Sequence, residues 1–153
     1  MSTETATAVD TGIELGDWQA GVGGGILGAA VMAIAISAMN PPTLMGGIPG
    51  LYTLSGGIAG WAVHLSHGAI LGVVYAAIVE ADVVSVDSVS KYLGAGIVWG
   101  IITWGILAAI VMPIWLSAVG FPQAPPLPNF AVPSLIWHLV YGIVLGIVYP
   151  LTR

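Results

Sequence analysis

The side chains in this chain best suited to chemistry are three histidines, His64, His67 and His138, set in otherwise apolar sequence. Residues 64–75 read HLSHGAILGVVY and residues 138–149 read HLVYGIVLGIVY, identical at seven of twelve positions. Each copy starts on a His and ends on a Tyr (Tyr75, Tyr149), with glycines between. A neutral imidazole carries one donor and one acceptor nitrogen, titrates near neutrality and can ligate haem iron. The duplicated pair therefore admits three roles: locking helices together by hydrogen bonds, relaying protons or a solute, or gripping a b-type haem between His64 and His138. Packing is the expected role. Haem is disfavoured because no Lys or Arg stands near either histidine to pair with propionates, and transport because no Asp or Glu lies within an apolar run to couple to them. His67 is matched by Tyr141 in the second copy, which suits it to a hydrogen bond within the fold. His64, His67, His138, Tyr75 and Tyr149 are the candidate polar site. No cofactor and no metal site is expected.

The pattern lacks catalytic signatures. There is no GxSxG, no HExxH and no carboxylate pair within an apolar run. Ser66 lies between two histidines, but neighbours one or two positions apart diverge on a helix. No catalytic residue and no enzymatic activity is expected.

The elements that hold these residues follow from composition. The chain has 153 residues, of which 58% are hydrophobic and 6% charged, against about 25% charged in soluble domains. Such a chain cannot cover a globular surface with polar groups, so its surroundings are membrane lipid. The net charge of -5 and only two basic residues exclude a nucleic-acid footprint. There is no cysteine, hence no disulfide or thiolate metal site. The acidic stretch 1–17 lacks the basic n-region of a secretory signal, so the first apolar run is expected to stay as an anchor and the tail to be disordered.

A spanning helix needs about 20 mostly apolar residues. Four runs qualify, at 18–39, 56–79, 92–112 and 133–151, and unbroken runs of this length suit helices rather than barrel strands. Glu4, Asp10, Glu14 and Asp17 precede the first run; Glu80, Asp82, Asp87 and Lys91 fall between the second and third; Arg153 ends the sequence. All charge thus lies on one side, and both basic residues with it, which places both termini in the cytoplasm. The two loops on the other side, 40–56 and 119–132, carry no charge and seven prolines. They read as proline-stiffened turns in the interfacial zone, with apolar side chains that suit contact with another membrane subunit.

The duplication extends beyond the two quoted stretches. Gly-rich segments, GGGILGAA (23–30) and GAGIVWGI (94–101), open the first and third runs, and each is followed by Met and Pro before the repeated His. The expected fold is all-α and integral to the membrane: four transmembrane helices as two tandem hairpins, about 18–80 and 91–151, in parallel orientation and packed in a bundle over 18–153. Small residues four apart let helix backbones approach closely in lipid. Gly21, Gly25 and Gly28, Gly68 and Gly72, Gly96 and Gly100, and Gly142 and Gly146 are the expected packing positions.

Paired Gly-rich helices, each followed by a helix bearing HLxxGxxLGxxY, resemble an uncharacterised family of small four-helix membrane proteins of halophilic archaea. Some members of that family carry an automatic histidine-kinase label. The resemblance covers about residues 18–151 and implies a cell-membrane location with an acidic, salt-adapted cytoplasmic face. It implies no activity or site. A kinase is not expected, since the sequence contains no ATP-binding domain and its histidines lie in membrane spans. The expected role is a non-catalytic, multi-pass accessory subunit of a larger membrane assembly, such as a respiratory one, contacting other subunits or a second copy of itself. The alternative is a small proton or solute transporter, or a haem carrier, on the same bundle.

Overall fold

The computed structural model describes residues 15–153. Every regular element among them is helical. Four helices are long and apolar enough to cross a membrane: α1 (Asp17–Met39), α2 (Gly57–Glu80), α3 (Val89–Ala118) and α4 (Val132–Thr152). The tail read over 1–17 lies outside the described residues except for its last three. Of these, Leu15 donates its backbone N–H to the Thr152 carbonyl at 2.9 Å, and Asp17 opens α1.

The third span departs most from its sequence reading. The apolar run was read over 92–112, yet α3 continues through Pro113 to Ala118. A proline within a helix supplies no N–H, so the carbonyl four residues back loses its partner. Here that carbonyl belongs to Ala109, and it accepts the backbone N–H of Asn129 at 2.8 Å. A widened π turn over Trp104–Val111 precedes the proline and takes up the local change in hydrogen bonding. The first uncharged loop repeats the device. A π turn over Thr43–Gly47 runs into Ile48–Gly50, and the Met45 carbonyl, four residues before Pro49, accepts the Gly56 N–H at 2.8 Å. In each case an N–H from the loop substitutes for the one the proline lacks.

Glycines set the helix packing. A Cβ on Gly25 would collide with the Gly68 carbonyl, and one on Gly72 with the Gly21 carbonyl, which defines the α1–α2 seam. The α3–α4 seam pairs Gly96 with Gly142, Gly100 with the His138 carbonyl, and Gly146 with Tyr92. A second stripe on α1, Gly24 and Gly28, receives Leu145 and Tyr141 of α4. Helices thus run side by side in the order α2–α1–α4–α3, and the buried core, including Ala29, Ile36, Tyr141 and Leu145, follows the α1–α4 seam.

No comparable seam joins α2 to α3. The glycine faces of these outer helices are taken by α1 and α4, leaving bulkier side chains turned toward each other. They are tied at the charged end, where the Tyr75 hydroxyl donates to the Tyr92 carbonyl at 2.9 Å. The four apolar helices pack as a bundle with one open side, a cleft between α2 and α3.

The charged end is closed by ion pairs. Arg153 pairs with Glu80 and with Asp17, drawing together the ends of α4, α2 and α1. Lys91 donates to Asp87 at 2.7 Å across the start of α3, and this hydrogen bond holds the exposed Asp87 carboxyl below the usual carboxylate range.

Candidate functional site

The cleft between α2 and α3 contains a cavity of about 300 Å³. Ala29 and Met32 of α1 and Trp137 and Tyr141 of α4 form its floor, and Leu71 and Leu107 stand on its two sides. Leu51 and Tyr52 of the first uncharged loop lie over it, fixed by the Trp115 indole N–H, which donates to the Leu51 carbonyl at 2.9 Å.

All three histidines line this space. On α2, His64, Gly68 and Leu71 fall on one face at i, i+4 and i+7. Gly68 has no side chain to hold α1 away, so its neighbour Ala29 packs close. His64 is only 8% exposed, and its Nε2 has no hydrogen-bond partner. His138 Nδ1 lies 2.7 Å from the Ser134 carbonyl one turn earlier on α4. His67 points toward the loop, where its Nε2 meets the Tyr52 hydroxyl at 2.8 Å. The Tyr141 hydroxyl, at the position matched to His67, crosses to α2 and donates to the Gly68 carbonyl at 2.8 Å.

Tyr75 and Tyr149 are not brought to the histidines. Eleven positions separate them from His64 and His138, about 16 Å along the helix axis at roughly 1.5 Å per residue. They meet each other edge to face at 5.5 Å at the charged end, with the Tyr92 ring 5.9 Å from Tyr149. The Tyr149 hydroxyl donates to Glu80 at 3.2 Å, and the Arg153 guanidinium stacks over the Tyr149 and Tyr92 rings. The five candidate residues therefore form two groups: a histidine cavity near the uncharged loops and a tyrosine plug at the charged end.

The packing glycines named from the sequence all stand at helix seams. Gly21, Gly25, Gly68 and Gly72 lie between α1 and α2, Gly96, Gly100, Gly142 and Gly146 between α3 and α4, and Gly28 between α1 and α4. Sequence reasoning did not single out Tyr52, Ser134 or Trp115. Tyr52 and Trp115 act through a loop whose path no periodicity reveals, and Ser134 contributes its backbone carbonyl, which any residue type would supply.

Among the described residues no group of three or more His, Cys, Asp or Glu side chains could hold a metal ion. Haem is a poor match. The cavity is at the small end of the roughly 300–1,000 Å³ common for ligand pockets. Lys91 and Arg153, the two cations that could pair with propionates, both sit at the opposite end of the molecule. The site offers hydrogen bonding within apolar walls.

No family model matches this chain, and neither a curated protein nor a solved structure is significantly similar to it.

Proposed function

We propose that this chain is a non-catalytic, multi-pass protein of the cell membrane that serves as a small accessory subunit of a larger membrane assembly, with respiratory complexes the first class to test. The observation that carries this reading is the outer surface of α3. Val98, Ile102, Ile106, Ile110 and Ile114 recur at every fourth position, and all are exposed. A row of this spacing is a ridge that fits the groove of another helix. Its β-branched side chains are stiff and lose little freedom on docking. The α3 span is also the least covered of the four, with 22% of its most apolar window buried against 33–39% for the others.

In this reading the two uncharged loops face outward, and both termini lie in the cytoplasm with Lys91 and Arg153. The chain comprises two tandem hairpins of parallel orientation, and the repeated glycine pairs support that descent. The likeness to small membrane proteins of halophilic archaea is part of the same proposal.

The test is migration of the protein, extracted from its own membranes in mild detergent, on a native gel. The expected result is a defined complex larger than a dimer, weakened when Ile102, Ile106 and Ile110 are replaced together by Ala. A lone monomer or homodimer overturns the subunit reading. The second reading, a small carrier or transporter, is favoured by the histidine cavity.

A further inference from the structure

We propose that the cleft between α2 and α3 binds a membrane-dissolved amphiphile whose polar head is a hydroxyl group, an alcohol or phenol on an apolar tail. The inference is independent of the subunit reading and rests on which hydrogen-bonding atoms the cavity presents. A backbone carbonyl can only accept, so the short contact to Ser134 puts the His138 proton on Nδ1. The remaining nitrogen of the neutral ring, Nε2, is then an acceptor.

His64 Nε2 is buried in the same cavity and has no hydrogen-bond partner. The cavity thus presents an acceptor, His138 Nε2, and a buried nitrogen without a partner, His64 Nε2. A buried polar atom left unpaired in apolar surroundings is unfavourable by about 1–3 kcal/mol, which a group from outside that both donates and accepts relieves.

These two nitrogens select the ligand. A quinone, ester or ketone would set a carbonyl lone pair against the lone pair of His138 Nε2. An anion has no counter-charge nearby, since Lys91 and Arg153 are at the far end. A hydroxyl donates to Nε2 and leaves its oxygen free to accept. The cavity of about 300 Å³ is mostly apolar in its lining and takes a head group and the start of a chain. Ile70 on α2 and Leu107 and Val111 on α3 line it while remaining exposed on the outer surface, so the tail leaves sideways into the bilayer between the unsealed edges.

The test uses the purified full chain in micelles and two probes, a para-alkylphenol brominated on its chain and the methyl ether of the same molecule. Bromine quenches tryptophan emission, and Trp115 and Trp137 line the cavity. The phenol is expected to quench saturably and the ether to bind at least tenfold more weakly. His64→Ala and His138→Ala should each weaken the phenol about fivefold or more. Ala108→Phe, which fills the cavity and leaves every histidine in place, should abolish saturation while circular dichroism and elution volume stay unchanged. The proposal is overturned if ether and phenol bind alike, if quenching by the phenol never saturates, or if Ala108→Phe binds it as the parent does.

Discussion

The stretch 64–75 in α2 and the stretch 138–149 in α4 share seven of twelve residues, yet they occupy different places in the molecule. The first lies at an edge of the helix row and packs its glycines on α1. The second lies in the middle, glycines on α3 and the opposite face, with Tyr141 and Leu145, on α1. Their register on the glycine partner is shared: Gly68 stands opposite Gly25 and Gly72 opposite Gly21, as Gly142 stands opposite Gly96 and Gly146 opposite Tyr92. The stripe of small residues thus fixes the buried face and where along the partner it seats. The two copies differ in what covers the opposite face. One substituted position even joins the copies: where the first has His67, the second has Tyr141, whose hydroxyl reaches the Gly68 carbonyl.

The comparison breaks most readily at the glycines. Gly142→Ala would drive a methyl into the Gly96 carbonyl, and α4 is held between α1 and α3 with no room to retreat. We expect a loss of about 3 kcal/mol, the upper part of the usual range for overpacking. Gly72→Ala meets the Gly21 carbonyl just as directly, but α2 is at the edge and can move outward, so about 1–2 kcal/mol is expected. Reversible unfolding in mixed micelles measures both, and equal losses would remove the distinction between edge and centre.

Tyr141→Phe sharpens the same contrast at smaller scale. It deletes a buried bond between α4 and α2, and hydrogen bonds between transmembrane helices contribute about 0.6 kcal/mol on average and up to about 1.7. We expect about 1 kcal/mol from the same unfolding assay. His67→Phe removes a bond at an exposed position to Tyr52 and should cost less than about 0.5 kcal/mol, at the low end of that scale. A larger loss from His67→Phe would mean that the first loop, and not only the glycine seam with α1, holds α2 in place.

A comparably small effect is expected at the charged end, where Tyr149 has Arg153 and Glu80 as partners and Tyr75 has a backbone carbonyl. Arg153→Gln should cost about 0.5 kcal/mol at low ionic strength, as partly exposed ion pairs do. The difference should vanish near 1 M salt, where screening acts over roughly 3 Å. A loss that persists in high salt would assign Arg153 a packing role over the Tyr149 ring instead.

Much of this architecture was legible before any coordinates. Four apolar runs, the charge confined to one end and the glycine spacings are local properties that one helix displays on its own. What stayed hidden depends on two segments meeting. Pro113 looks like a terminator until Asn129 is seen to supply the missing donor, and Tyr75 and His64 look like one site until helix rise separates them by several turns. Tyr52 could not be placed at all, since the loop that carries it follows the prolines and not a period. Glycine on every helix pointed to a bundle; it did not show that each outer helix would spend its small residues on one neighbour and leave the α2–α3 side open.

The two carbonyls that Pro49 and Pro113 leave without partners bear on how the chain is made. A span usually completes its own backbone hydrogen bonds as it enters the bilayer, before it meets its neighbours. Here the carbonyls of Met45 and Ala109 wait for Gly56 and Asn129, residues synthesised later and on the far side of each loop. The turn ahead of each proline therefore completes its backbone hydrogen bonding only once the loop beyond it has folded back.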